Sequence, residues 1–114
     1  MGKKMPEFLP TIRALTVQDD IQIACLIRQV MKEHGAGREG FAFVDSELDS
    51  MSLHYVPPKA YYLVLELDGR ILGGGGIGPL TGSSKGTAEL RKMYLYPEAR
   101  GKGWGTLLLG QLIQ

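Results

Sequence analysis

The segment Arg100-Gly101-Lys102-Gly103-Trp104-Gly105 combines what anion binding needs: approachable main-chain donors with cations beside them. It runs into Thr106-Leu107-Leu108-Leu109-Gly110-Gln111-Leu112-Ile113, which reads in helical register. The first amides of a helix have no intrahelical partner, and the helix dipole favours negative charge there. Glycines at 101, 103 and 105 remove side chains that would keep a phosphate away from those amides, and Arg100 and Lys102 supply cationic donors at the rim. Trp104 falls four residues before Leu108 and is expected to pack inward from the first turn. The spacing departs from both common phosphate fingerprints. Leu108 stands where a G-x-G-x-x-G pattern starting at Gly103 would need its final glycine, and no Gly-Lys-Ser/Thr is present. A glycine-rich turn that only joins strand to helix is the alternative.

The elements that must position this segment can be read upstream. Ile12 to Leu15 is a short apolar strand, and Asp19 and Asp20 suit a helix start, where carboxylates meet the positive end of the dipole. Ile23, Ile27, Val30 and Met31 then recur at helical spacing, with Ala24 and Cys25 adjoining. Cys25 in that pattern reads as a buried structural thiol. His34 suits a helix C-terminus, Gly35 stops the helix, and residues 35–40 read as loop. Asp45 or Ser46 caps a second, shorter helix with Leu48, Met51 and Tyr55 on one side, ended by Pro57-Pro58. Tyr61 to Leu67 and Arg70 to Ile77 flank Asp68-Gly69, a two-residue hairpin signal.

The return strand holds Gly73-Gly74-Gly75-Gly76. Such a run marks either a bulge or close ligand approach, or tight packing beneath a helix. A loop over 81–86 leads to a third long strand, Thr87 to Tyr96. Ala88 and Leu90 are apolar on one parity, Met93 and Leu95 on the other. A β-bulge near Arg91-Lys92 accounts for the change of phase, and so does a strand buried on both faces.

The chain has 114 residues, enough for one domain, and 44% are apolar and 22% charged. Thirteen Lys and Arg against 12 Asp and Glu give a net charge of +1, which offers no footprint for nucleic acid or an anionic membrane. One cysteine and two distant histidines form no metal spacing. There is no long apolar run and no apolar stretch after Met1-Gly2-Lys3-Lys4-Met5-Pro6, so the expected setting is cytoplasmic.

The stretch "ELRKMYLYPEARGKGWGTLLL" resembles the central motif of the GNAT acetyltransferases, Arg/Gln-x-x-Gly-x-Gly/Ala, with Arg100, Gly103 and Gly105 in the defining positions. The order of elements matches over nearly the whole chain, and the signature is most similar to small bacterial members. The resemblance implies an α/β (α+β) fold: strand, two helices, antiparallel hairpin and strand, then the pyrophosphate-loop helix, as one domain over 1–114. The co-substrate it implies is acetyl-CoA, with no metal, and the acceptor an amine on a small molecule or peptide. Backbone amides from Gly101 to Thr106, Trp104 included, would hold the pyrophosphate, with Arg100 and Lys102 near the phosphates. The main chain of Met93, Tyr94 and Leu95 would pair with the pantetheine arm in a wedge opened by the bulge.

Glu89, eleven residues before Arg100, matches a general-base glutamate of some members, which deprotonates the amine before it attacks the thioester. Its alternative is an ordinary strand carboxylate paired with Arg70 or Lys85. Tyr55 falls where the family lines its acceptor pocket, with core packing as the alternative. The family pattern continues beyond Gln114 through another strand, a helix and final strands. The resemblance therefore implies either a fragment of the family domain, or a domain that a second copy or another chain completes, or else a CoA-binding or partner-binding module without catalysis. Leu107 to Ile113 would then leave apolar surface exposed.

Overall fold

The computed structural model describes residues 9–35, 46–79 and 88–113. Four strands form one antiparallel sheet in sequence order: β1 (Thr11–Ala14), β2 (Tyr61–Leu67), β3 (Arg70–Pro79) and β4 (Ala88–Leu95). Helix α1 (Asp20–Glu33) follows β1, a 3-10 segment Ser46–Ser50 leads into the single turn α2 (Met51–His54), and α3 (Trp104–Leu112) follows β4. The expected order of elements is therefore present. The loop at 36–40, the cap at Asp45, the loop at 81–86, and Thr87 lie outside the described residues.

Alternation along β2 divides the core in two. Tyr62 and Val64 join Ile23, Leu26, Ile27, Val30 and Met31 of α1 on one face. Leu65 lies on the other with Leu72 and Ala99, against which Leu95, Tyr96 and Trp104 pack. Leu108 and Leu112 are buried on α3, while Leu107, Leu109 and Ile113 are exposed, as the apolar pattern of that helix implies. The Asp68-Gly69 turn has φ of 52° and 79°, the left-handed pair that a tight hairpin demands.

Cys25 is exposed, against the expectation of a buried thiol. The buried stripe of α1 is 23, 26, 27, 30 and 31, a regular i, i+3, i+4, i+7, i+8 series in which Leu26 takes the inward position beside Cys25. His34 does cap the helix, and Gly35 leaves it with φ of 86°.

The two aspartates do more than complement a dipole. Asp19 is buried and accepts both terminal nitrogens of Arg13 at 2.8 and 3.0 Å, as well as the Thr16 amide at 2.8 Å. Arg13 also donates from Nε to Glu66 on β2 at 2.8 Å, so this network fixes the turn from β1 into α1. Asp20 accepts the Ser52 amide at 2.9 Å and the Ser52 hydroxyl at 2.6 Å. The second helix is therefore broken at Ser50, with φ of −144°, and restarts under a cap supplied by α1. Leu48, Met51 and Tyr55 are all buried on one side, as their spacing predicts.

Arg13 and the Thr16 donors hold the Asp19 carboxyl below its ordinary range, the guanidinium being the larger cause. A lowered folded-state value adds stability above the unfolded value, about pH 4, and that stability is lost as pH falls through the folded value. Asp19→Asn should thus lower Tm near neutrality, at a cost of about 1–3 kcal/mol. The gap to the parent chain should shrink in melts below about pH 4.

The four glycines resolve as close packing on both faces of β3. A Cβ on Gly74 would lie 2.7 Å from Cε1 of Tyr62 and 2.9 Å from Cδ1 of Ile23. On the opposite face, a Cβ on Gly75 would lie 3.1 Å from Cδ1 of Leu112 and 3.2 Å from Cγ of Met93. Gly76→Ala would place its methyl 2.7 Å from Tyr62, 2.9 Å from Tyr55 and 3.1 Å from the Tyr61 carbonyl. A shift of the urea midpoint equivalent to a loss of about 1–3 kcal/mol is expected. Gly110→Ala, in α3 with nothing near its Cβ, should instead be neutral or stabilising by up to about 1 kcal/mol.

Candidate active site on the outer strand

β4 is the last strand of the sheet among the described residues, so one of its edges faces away from β3. Its pairing holds the expected bulge. Gly74 pairs with Tyr94 and Gly76 with Arg91, so two steps on β3 match three on β4. The extra residue sits at Lys92-Met93, and Lys92 adopts φ of 45°. The Lys92 carbonyl accepts a 2.8 Å hydrogen bond from the Tyr62 hydroxyl. The Tyr62 ring lies across Gly74 and Gly76, so a β2 side chain reaches over β3 to hold the backbone of β4. Burial pushes the Tyr62 hydroxyl well above its ordinary value, keeping it a donor.

Beyond β4, Pro97–Ala99 forms a 3-10 turn with Ala99 buried. The chain then enters α3 through Gly101 with φ of 77° and Gly103 with φ of 82°, the latter as N-cap. Both angles are costly for residues with a Cβ. A Cβ at either position would meet nothing within 4 Å, so the approach to the loop is open. The Leu107 amide bonds back to the Gly103 carbonyl at 3.1 Å, and helix geometry leaves the amides from Gly103 through Thr106 without intrahelical acceptors. Gly105 faces Leu95 and Met93, with its ideal Cβ 3.6 Å from Leu95 Cδ1 and 3.9 Å from Met93 Cε. The helix entry and the end of β4 therefore form one continuous surface. Trp104 packs inward, and Lys102 lies 5.7 Å above its ring.

Arg100 is held by two partners outside the loop. Its guanidinium pairs with Glu33 of α1 at 2.8 and 2.9 Å and donates to the Leu95 carbonyl at 2.9 and 3.1 Å. Glu33 offers a full carboxylate at the C-terminal end of α1, and Arg100 spans from it to the strand end. The Leu95 carbonyl, expected to meet a pantetheine arm, is thereby engaged.

Glu89 lines a pocket of about 370 Å³ together with Tyr55, Glu47, Leu90, Arg91 and Lys92. The structure thus brings the expected base and the expected acceptor-contact residue to one place. Glu89 pairs with Arg91, Oε1 to Nε at 3.0 Å. Arg70, one of its two expected partners, pairs instead with Glu98 at 2.9 Å because both flank the hairpin end of the sheet; the other, Lys85, lies outside the described residues. Tyr55 is buried against Tyr62, with ring centroids 5.2 Å apart, so it packs in the core and also faces the pocket. Burial pushes its hydroxyl up. Glu47, Arg91 and Lys92 were not legible as pocket residues. The signal that finds Arg91 and Lys92 is the bulge, which turns Lys92 towards the side of Glu89 and Arg91, while Glu47 comes from the 3-10 segment before α2 with no sequence signal. Among the described residues no three His, Cys, Asp or Glu side chains converge on a metal-sized site, and no helix is long and apolar enough to cross a membrane.

A bulged outer strand followed by an anion-ready helix entry defines a coenzyme A acyltransferase fold, and solved structures share it. A GNAT family acetyltransferase from Staphylococcus aureus superposes with a TM-score of 0.77 at 16% identity, over 92% of this chain and 64% of that one. A GNAT family acetyltransferase from Brucella melitensis, solved in complex with acetyl-CoA, gives 0.69 at 22%, over 92% and 69%. An N-acetyltransferase from Thermoplasma acidophilum, in complex with coenzyme A, gives 0.70 at 21%, over 90% and 69%.

The family model for the acetyltransferase (GNAT) family matches residues 26–114, and the chain belongs to that family. It is 46% identical over 95 residues to an uncharacterized N-acetyltransferase, YjgM, of Escherichia coli, covering 82% of this chain and 57% of that protein. An uncharacterized N-acetyltransferase of Schizosaccharomyces pombe is 31% identical over 106 residues, covering 91% and 63%. The chain thus spans about three-fifths of the length of these relatives.

Proposed function

We propose that this protein is an N-acetyltransferase that moves the acetyl group of acetyl-CoA to a primary amine by direct attack in a ternary complex, in the cytoplasm. The observation that carries the proposal is the bulge at Lys92, which sets the Glu89 pocket near one end of the outer strand and the open helix entry of α3 beyond the other. The amides from Gly101 to Thr106 hold the pyrophosphate, with Lys102 beside it. The main chain of Met93, Tyr94 and Leu95 guides the pantetheine arm towards the bulge. Arg100 reaches the phosphates by leaving Glu33 or, where it stays, fixes the loop by its grip on Leu95.

The chemistry follows from charge. The acceptor arrives as an ammonium ion and passes one proton to Glu89, directly or through water. Arg91 occupies Oε1, so Oε2 receives the proton. The freed nitrogen lone pair forms the C–N bond at the thioester carbonyl, the C–S bond breaks, and the amine's second proton goes to the departing thiolate. Tyr55, at the same pocket, contacts the acceptor.

Calorimetric titration of acetyl-CoA, followed by detection of free CoA thiol with amine acceptors, tests the reading. Saturable binding with amine-dependent thiol release is expected. Binding without thiol release would leave a CoA-binding module, and no binding by the folded chain would overturn the proposal.

A further inference from the structure

The walls of the Glu89 pocket are two ion pairs. Glu89 holds Arg91 at 3.0 Å, and Glu47 Oε2 holds Lys92 Nζ at 2.7 Å. Among the described residues that line the pocket, two carboxylates therefore face two cations. An acceptor bearing only an ammonium group would take Glu89 from Arg91 and leave that guanidinium with the Pro79 carbonyl, 2.6 Å from Nη2. The pair is partly exposed, Arg91 at 29% and Glu89 at 44%, so freeing the guanidinium costs a charge-assisted hydrogen bond that water replaces only in part. An acceptor with an ammonium and a carboxylate exchanges partners instead: its ammonium meets Glu89, its carboxylate meets the cations, and every charge stays paired.

Arg91 is built for that second contact. Its guanidinium lies across the bare backbone of Gly78, where an added Cβ would stand 2.7 Å from Nη1 and 2.9 Å from Cζ. A planar fork fixed in this way presents donors in the geometry that a carboxylate accepts. Regular alternation would send Arg91 and Lys92 to opposite faces of the sheet. The left-handed turn at Lys92 lets both consecutive cations line the same pocket.

We propose that the acceptor is a zwitterion, carrying a carboxylate close to the amine it offers as an α-amino acid does, and that Arg91 with Lys92 recognises that carboxylate. The assignment deepens the acetyltransfer reading and rests on it for the role of Glu89.

The test compares binding of the common L-amino acids by ligand-observed NMR with that of their carboxamides and decarboxylated amines. At least one amino acid should bind about tenfold or more tightly than both of its matched probes. Arg91→Gln should reduce that preference to within about twofold, and Arg91→Lys should restore part of it. Lys92→Gln, which leaves the Glu89–Arg91 pair intact, should weaken the preference in a second background. An amide or plain amine that binds as well as its amino acid overturns the proposal, and so does a preference that survives both glutamine variants. Thiol release is read separately in the presence of acetyl-CoA. Zwitterion preference without thiol release would sink the transfer reading and keep the recognition site. Equal release with plain amines would do the reverse.

Discussion

Gly103→Asp should abolish acetyl-CoA binding, weakening it by more than about a hundredfold, while the fold survives. The position is the N-cap of α3, has φ of 82°, and has open space where a side chain would go. Aspartate tolerates left-handed geometry better than most residues, and a carboxylate beside a helix N-terminus is favourable in itself. The variant therefore fills the anion site with its own anion. Two unit charges about 4 Å apart near a protein surface repel by about 4 kcal/mol, close to a thousandfold in affinity. Gly103→Asn, equal in size but uncharged, should lose much less. Calorimetry on the three proteins separates charge from bulk. Equal losses in Asn and Asp would make the effect steric, and full binding by the Asp variant would mean that the pyrophosphate lies elsewhere.

Glu89→Gln should lower kcat by about a hundredfold to ten-thousandfold, the usual contribution of a positioned base, and leave acetyl-CoA affinity unchanged. The substitution keeps shape and the ability to accept from Arg91 through the amide oxygen, and it removes only the proton acceptor. Single-turnover thiol release at saturating acetyl-CoA is the measurement. A loss confined to KM for the acceptor would make Glu89 a binding group, and an unchanged rate would return it to an ordinary strand carboxylate paired with Arg91.

The elements were legible wherever a short-range pattern carried them. Asp68-Gly69 announced the hairpin because both residues must reach positive φ, and they do. The change of parity between Leu90 and Met93 left a bulge and a strand buried on both faces open, and the pairing shows the bulge. What escaped the sequence was decided by partners distant along the chain. Asp20 caps a helix 32 residues away, so the break at Ser50 has no local signal. Arg100 was read from its loop, whereas Glu33, 67 residues earlier, competes for it. Cys25 was misplaced for a different reason: with apolar residues at 23, 24, 26 and 27, the edge of the buried stripe shifts by one residue without altering the pattern's apparent strength. The candidate site was half visible for related reasons. Glu89, Tyr55 and the glycine loop could be named singly, but their shared pocket with Glu47 and Lys92 exists only once the bulge has turned the strand.

The Tyr62 hydroxyl on the Lys92 carbonyl has a mechanical consequence. The neighbours of a β-strand normally restrain it through the ladder alone, and a bulge is where that restraint lapses. Here the slack is taken up by a strut two strands long, laid in a trough of bare glycine backbone and anchored to β2. The stiffness of the Glu89 pocket is thus set from the middle of the sheet, by a residue buried in the core. Folding and the proposed transfer would share that strut, so a loss of the Tyr62 hydroxyl would loosen the pocket and the core together.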